Sequence, residues 1–215
     1  MAINYAIISR SIVEISGRYS QVEKDNNRLK ILQKATACLN NGENVYFAKF
    51  DYRSTNVLPK IYYINSLYFA RDYCGKINSK TFAVFNVDDK EEKLEVNLDE
   101  IGVNFDKAIV TDVWTGESKI VENTFEVNLL SHGSKLFTVC KYNEPNICDS
   151  NCEILNLKAS EDSLDFAINY PCQVELVVNF SVKSVVIDGQ DVVFAQEKNK
   201  LSFENKKKSK ISLIF

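Results

Sequence analysis

The sequence predicts a mainly β protein in which antiparallel β-sandwich modules follow a short α/β segment. From about residue 78 onward, short runs rich in β-branched and aromatic residues alternate apolar with polar positions, with turn residues every ~8–12 positions. Before residue 42, one β-branched run precedes a stretch with apolar residues at helical spacing. We expect an α/β segment at 1–76, a β-sandwich at 78–141, and at 150–215 either a second β module or a continuation of the same sandwich.

The composition fits a folded chain and narrows the classes of partner. Of the 215 residues, 45% are hydrophobic and 26% are charged, and the formal net charge is −3. This balance gives no electrostatic reason to expect a nucleic acid. No apolar run approaches the ~20 residues that span a membrane, and the first residues lack the basic region of a signal peptide. We expect neither a nucleic-acid nor a membrane partner, and the cytoplasm is slightly favoured.

The cysteines allow disulfides, a metal site or buried free thiols. The closest pair, Cys148 and Cys152, has three residues between its members, unlike the two-residue spacing of redox and zinc motifs. With a single histidine in the chain, a zinc site would have to be all-cysteine. Free thiols are the default without export signals, so we expect no metal and no cofactor. One glycosylation sequon, Asn179-Phe180-Ser181, matters only in a secreted protein.

The first forty residues have the pattern of one βα unit. The β-branched run at 11–16 ends at Gly17, and a capping box follows, with Ser20 as the N-cap and Glu23 three residues later. The sequence "NNG" at 40–42 is a C-cap signal. Between these signals, apolar residues recur at helical spacing at Leu29, Ile31, Leu32, Ala35, Cys38 and Leu39. A strand feeding an amphipathic helix is the repeating unit of α/β folds.

Residues 43–76 are dense in aromatic side chains. Nine of the 24 aromatic residues of the chain lie in this segment, without a helical or strand period. Large rings are favoured in any buried contact, so we expect the segment to pack between two domains. A platform on which sugars stack is the alternative.

The later region is predicted to be a series of strands. Period-two alternation predicts strands at 80–87, 92–98, 107–114, 123–130 and 134–140, and further short strands follow residue 151. The polar stretch 141–151 is the best linker candidate. Asp188-Gly189 is a hairpin turn signal, and the basic run 205–210 is expected to be a solvated turn.

Several motifs occur in a fixed order between Phe82 and Cys140. A strand ends in "FN", an acidic turn follows, and later segments contain "LDEIG", "DVWTG" and "SHGSKLF". In this order the block resembles the C-terminal β-sandwich of α-galactosidase-like glycoside hydrolases, the melibiases of families twenty-seven and thirty-six. The resemblance implies that residues 1–42 are similar to the last strand and helix of the catalytic barrel that precedes this sandwich.

The resemblance also implies where chemistry would occur. Retaining glycosidases use two carboxyl groups about 5–5.5 Å apart, which in melibiases come from earlier barrel strands, so we assign no catalytic residue in this chain. Gly17 and Arg18 follow the expected last barrel strand and are substrate-contact candidates by position alone. Relatives often carry an aspartate where this chain has Arg18. A surface arginine is the simpler reading.

Two further residues are assigned to structure rather than chemistry. Trp114 ends a predicted strand and is expected to be buried in the core, although the alternation places it on the same face as Asp112. His132 is expected to be a turn residue, because no cysteine or second histidine lies near it in the sequence.

The first hypothesis for function is the C-terminal, non-catalytic portion of an α-galactosidase-like glycoside hydrolase, whose sandwich braces a catalytic barrel that lies outside this chain. Alone, the chain is expected to be inactive. The alternatives are a stand-alone carbohydrate-binding β module, with 43–73 as the sugar platform, or a structural interaction protein. Carbohydrate is thus the expected ligand class, and segment 1–76 is expected to allow self-association or docking.

Overall fold

The computed structural model describes residue 4 and residues 24–39, 46–48, 60–64, 79–104 and 106–215. Within these residues the chain is mainly antiparallel β-structure, which confirms the predicted β-sandwich class. The described strands are β1 (Tyr46–Ala48), β2 (Ile61–Ile64), β3 (Ser79–Phe85), β4 (Glu92–Asn97), β5 (Ala108–Asp112), β6 (Ser118–Val121), β7 (Thr124–Leu129), β8 (Ser134–Lys141), β9 (Ile147–Ser150), β10 (Leu155–Ala159), β11 (Ser163–Ile168), β12 (Cys172–Val178), β13 (Ser184–Ile187), β14 (Gln190–Val192), β15 (Phe194–Glu197), β16 (Lys200–Asn205) and β17 (Ser209–Ile214).

One α-helix, α1 (Asn26–Leu39), lies in the described part of the chain. The Asp25 carboxylate accepts hydrogen bonds from the backbone N–H groups of Asn27 and Arg28 at 3.1 Å each. Asp25 is therefore the N-cap of this helix, whereas the sequence pattern pointed to Ser20. The helix ends at Leu39, directly before the predicted stop signal. The predicted strand at 11–16 and the capping box lie outside the described residues, so the similarity of 1–42 to the end of a barrel stays a prediction.

The first sandwich consists of two sheets. Sheet I has six strands in the order β1-β2-β3-β8-β5-β6, and sheet II is the pair β4-β7. The predicted aromatic segment contributes β1 and β2, which extend sheet I at one edge. Between the two sheets lies an apolar core that contains Ile61, Phe82, Val84, Val96, Leu98, Ile101, Val103, Ala108, Val110, Val121, Phe125, Val127, Leu129, Phe137 and Val139. Phe82 stacks on Phe137, with ring centroids 5.1 Å apart.

The second sandwich is built from residues 147–215. Sheet III has the strand order β15-β16-β12-β9, and sheet IV has the order β10-β11-β17-β13-β14. Strands β12 and β16 alternate in burial, so Val174, Leu176, Leu201 and Phe203 face the core between these two sheets. The sandwich pattern predicted for this region is therefore present, with strands of both sheets contributing to one core.

The two sandwiches are joined by apolar packing. Period-two alternation gives sheet I a second face, and Leu136 on that face belongs to the core of the second sandwich. On the same face, Cys140 packs against Cys148 and Val177 of sheet III. The Thr138 hydroxyl donates a hydrogen bond to the carbonyl of Cys148. Sheet I consequently packs against sheet II on one face and against sheet III on the other.

The predicted strands can be compared with the observed ones. The five strands predicted between 80 and 140 correspond to β3, β4, β5, β7 and β8. Strand β6 was not predicted. The prediction that 141–151 is a linker was wrong for the second half of that stretch. That stretch contains β9, whose four residues are all buried and pair with β12. The polar composition of the stretch suggested a solvated connection, but several of its polar side chains are buried and form hydrogen bonds.

The predicted turns of the second sandwich are confirmed. Asp188 and Gly189 both have positive φ, 51° and 84°, and join β13 to β14. The basic run forms the connection from β16 to β17, where Lys206 and Lys207 are exposed. Lys207 lies 3.1 Å from the carboxylate of Asp188. The lysines of the run are exposed, as expected for a solvated turn, whereas Asn205 and Ser209 are buried residues of the flanking strands.

Candidate functional site

The asparagine of the "FN" motif fixes two turns of the first sandwich. The Asn86 side chain is fully buried. Its amide nitrogen donates to the carbonyls of Lys90 and Leu130, at 2.7 and 2.9 Å, and its oxygen accepts from the N–H of Asp88 at 3.0 Å. Asn86 thus ties the acidic turn after β3 to the turn between β7 and β8. Its role is structural.

The "LDEIG" and "SHGS" motifs are also turns. Leu98 and Ile101 are buried in the first core, and Gly102 ends the 3-10 turn with a φ of 71°. His132 has a φ of 52°, is exposed, and its Nε2 lies 2.9 Å from the Asp89 carboxylate. The prediction that His132 is a turn residue is confirmed. At Gly133 an added Cβ would lie 2.7 Å from the carbonyl oxygen of Leu130, so only glycine fits.

The "DVWTG" motif closes the hairpin between β5 and β6. The Asp112 carboxylate accepts from the N–H groups of Trp114 and Thr115, at 2.9 and 3.2 Å. Gly116 has a φ of 70° and its N–H donates to the carbonyl of Asp112 at 2.8 Å. These bonds fix the backbone on both sides of the indole, because short polar side chains stabilise turns in this way.

Trp114 is half-buried rather than fully buried. Its ring packs against the core of the second sandwich, which agrees with the expected packing role. Its indole N–H donates to the Asn4 side-chain oxygen at 2.7 Å, and the Asn4 amide donates to the Ser134 hydroxyl at 3.0 Å. Asn4 is buried and so connects the start of the chain to the first sandwich. The remaining surface of Trp114 lines a groove.

This groove has a volume of about 430 Å³ and lies along the outer face of sheet III. The Trp114–Gly116 turn forms one wall, and an added Cβ at Gly116 would lie 3.6 Å from the Val177 side chain. The other lining residues come from β9, β12, β15 and β16 and the positions adjoining them: Asp149, Asn151, Glu175, Leu176, Val177, Ala195, Glu197, Lys200, Leu201 and Ser202. The groove is a half-open cleft with an indole on one side and charged groups on its floor.

Strand register arranges the floor of the groove in two rows. Val177 lies opposite both Asp149 and Lys200, and Lys200 lies opposite Glu197. In the neighbouring row, Glu175 lies opposite Ser202, which lies opposite Ala195. These positions alternate with the core residues of the same strands, so their side chains share the outer face.

Cys140 pairs with Cys148 between sheets I and III, and Cys152 pairs with Cys172 at the core of the second sandwich. The Cys140 thiol is hydrogen-bonded to Cys148, and this bond together with burial raises the pKa of Cys140 well above its usual value. The hydrogen bond between Cys152 and Cys172 raises the pKa of Cys152, with burial adding to the effect, and lowers the pKa of the half-exposed Cys172. All four are free thiols. The spacing of the cysteines in the sequence did not predict these pairs, because the folding of the strands brings their members together.

The two substrate-contact candidates, Gly17 and Arg18, lie outside the described residues, so their role stays a prediction. The groove residues were not predicted from the sequence. Glu175, Lys200 and Ser202 occupy the polar positions of alternating strands, a pattern shared by any solvated sheet face. Only the fold shows that these positions face Trp114. No helix in the described part of the chain is both long and apolar enough to cross a membrane.

Comparison with known proteins assigns part of the chain. Residues 75–139 match the alpha galactosidase C-terminal beta sandwich domain, which confirms the resemblance inferred from the motifs between Phe82 and Cys140. The match includes β3 to β7 and nearly all of β8. Residues 75–139 therefore form a domain similar to the C-terminal β-sandwich of α-galactosidases. No curated protein matches the chain.

Solved structures of glycoside hydrolases are also similar to the chain. A GH27 β-L-arabinopyranosidase from Geobacillus stearothermophilus is 21% identical, with a TM-score of 0.46, and the match covers 64% of this chain and 29% of that chain. An α-galactosidase I from Mortierella vinacea is 15% identical, with a TM-score of 0.47, and the match covers 65% of this chain and 34% of that chain. An isomalto-dextranase from Arthrobacter globiformis T6 is 14% identical, with a TM-score of 0.46, and the match covers 99% of this chain and 44% of that chain. The chain spans less than half the length of each of these proteins.

Proposed function

We propose that this chain is the C-terminal, non-catalytic region of an α-galactosidase-like glycoside hydrolase, in which the first sandwich braces the polypeptide that precedes it. The domain match over 75–139 supports the identity of the sandwich. The motif residues in that range form turns and core contacts: Asn86 and Asp112 hold turns, and Gly133 fits where a side chain would not. The motif residues within the matched range therefore stabilise the fold of the sandwich.

The observation that carries the bracing role is the contact made by Asn4. This buried side chain accepts from the Trp114 indole and donates to the Ser134 hydroxyl, more than a hundred residues away in sequence. A buried amide that satisfies two partners holds its own segment in place, because breaking the contact leaves polar groups without water. The start of the chain is thereby anchored to the turn that closes β5 and to the first residue of β8.

We further propose the division of the chain into 1–76, 78–141 and 150–215. The third unit takes strand β9 from the stretch before it, because β9 pairs with β12 of sheet III. The β1-β2 pair, from the first unit, extends sheet I of the second, and Tyr62 packs edge-on against Phe85 with centroids 5.4 Å apart. This aromatic contact is buried, which favours packing over a sugar platform at Tyr62.

The brace is tested by the Asn4→Ala substitution. We expect it to lower the free energy of unfolding by about 1–3 kcal/mol, because the Trp114 N–H loses its buried acceptor. Asn169→Ala, at an exposed position, is the matched control and should change stability by less than ~0.5 kcal/mol. A double-mutant cycle with Trp114→Phe should give a coupling energy of at least about 0.5 kcal/mol. Equal stability of the two asparagine variants would disprove the brace.

The non-catalytic assignment is tested separately with 4-nitrophenyl α-galactoside. The purified chain should release no 4-nitrophenol above the buffer rate, while an authentic α-galactosidase serves as the positive control. A rate proportional to the concentration of the chain, retained after a second purification step, would show that the region is catalytic.

A further inference from the structure

We propose that the groove between the Trp114–Gly116 turn and the outer face of sheet III is a binding site for a short neutral saccharide. The groove floor belongs to the second sandwich, outside the 75–139 match, and the groove shares only its Trp114–Gly116 wall with the bracing contact of Asn4.

The groove has unused hydrogen-bonding groups. Within the described residues, the side chains of Glu175, Glu197, Lys200 and Ser202 have no hydrogen-bond or ion-pair partner. Two carboxylates that accept, an ammonium that donates and a hydroxyl that does both match a ligand whose own groups both donate and accept. Sugar hydroxyls do both. Asn151 is already occupied, because its amide binds the backbone of Gln173 and Glu175.

The charge of the groove selects against anions. Three carboxylates, Asp149, Glu175 and Glu197, line it with a single ammonium, that of Lys200. A phosphate or carboxylate ligand would meet net negative charge. A cationic ligand would be attracted by the carboxylates but repelled by the ammonium of Lys200, which lies in the middle of the floor between Val177 and Glu197. A neutral polyhydroxy ligand avoids both repulsions, and its C–H groups can pack on the electron-rich face of an indole.

The walls of the groove are fixed before a ligand arrives. Asp112 holds the backbone of Trp114 and Thr115, and Asn4 holds the indole edge. Little ordering entropy is then lost on binding, which favours even a shallow site. A volume of about 430 Å³ is near the lower end of ligand pockets, which run from about 300 to 1,000 Å³. The groove therefore suits a mono- or disaccharide rather than a long polymer.

The single tryptophan of the chain makes the site its own reporter. We would titrate the full chain with galactose, arabinose and isomaltose and follow the emission of Trp114. At least one of these sugars should shift the emission with a Kd of roughly 0.1–10 mM. Glucuronate tests an anionic ligand and choline tests a cationic one, and both should bind more weakly. Tighter binding of either, or no shift with any sugar up to about 50 mM, overturns the proposal.

Two substitutions place the binding in the groove. Glu175→Gln and Lys200→Met alter exposed side chains on the floor and should each weaken the best sugar at least ~5-fold, as expected for the loss of one hydrogen bond to a charged group. Glu161→Gln removes an exposed carboxylate remote from the groove and should leave the Kd unchanged. Far-UV circular dichroism verifies that each variant folds. Sugar binding unaffected by both floor substitutions would overturn the proposal and would leave the stability test of Asn4 unaltered.

Discussion

The two sandwiches of this chain differ in what their polar residues do. In the first, Asn86 and Asp112 are committed to turns, and the sequence there matches a known domain. In the second, Glu175, Lys200 and Ser202 lie on an open sheet face and point to a ligand site. Turn geometry constrains the residue type at fixed positions, so it leaves a pattern in the sequence. An exposed binding face constrains only the arrangement of a few groups, which many sequences satisfy.

The largest expected effect tests whether the two sandwiches are one folding unit. Leu136→Ala removes a fully buried side chain that extends from sheet I into the core of the second sandwich. We expect a loss of about 2–5 kcal/mol in the free energy of unfolding. Unfolding in urea, followed both by Trp114 fluorescence and by far-UV circular dichroism, should show one shared midpoint that moves down in the variant. Two separated transitions would mean that the sandwiches fold independently.

An intermediate effect compares two asparagine side chains that hold turns, the buried Asn86 and the half-buried Asn179. Asn86→Ala deletes three hydrogen bonds in the first sandwich and should cost about 2–3 kcal/mol. Asn179 is half-buried, donates to the Glu144 carbonyl at 2.7 Å, and accepts from the Asn146 N–H at 2.6 Å. Because water reaches that site more easily, Asn179→Ala should cost less, about 1–2 kcal/mol.

The matched control for both asparagines is Asn128→Ala, at an exposed position of β7. Its midpoint of thermal unfolding should differ from that of the parent protein by no more than about 1–2 °C. If Asn179→Ala proves more damaging than Asn86→Ala, the order of the two asparagines is reversed and the second sandwich depends more on its polar contacts than we infer.

The smallest effect concerns thiol reactivity and its pH dependence. The hydrogen bond from Cys152 lowers the pKa of Cys172, which is half-exposed, so this thiol should react with iodoacetamide before the buried Cys140, Cys148 and Cys152. Cys140 is fully buried and its pKa is raised, so it should react only after unfolding. Mass spectrometry of timed samples gives the order. Labelling of Cys140 before Cys172 would contradict it.

The pH dependence of stability has a defined sign for Cys140. Its folded pKa is raised, so the stabilising contribution is complete below the pKa of an exposed thiol, about 8.5. Above that pH the unfolded chain releases a proton that the folded chain retains. Stability should then fall with rising pH, and Cys140→Ser should reduce the slope of that fall.

The sequence predicted the parts of the fold that leave periodic or turn signals. The alternation of apolar and polar residues identified β4 and β7, and Asp188-Gly189 marked its hairpin. Strand β9 was not predicted because its sequence is polar and Cys148 is buried only where sheet I packs over it. The groove could not be predicted from the sequence either. Its residues are distant in sequence, and only the register of four strands places them beside Trp114.

Asn179 also has a consequence for how the chain would mature in a host that attaches glycans. It heads the sequon Asn179-Phe180-Ser181, yet its side-chain nitrogen already donates to the backbone carbonyl of Glu144. A transferase would have to reach that nitrogen before the loop at 141–146 closes over it. A sugar chain found at this position would record a molecule that was modified while still immature, so occupancy of the sequon would measure how quickly the loop closes.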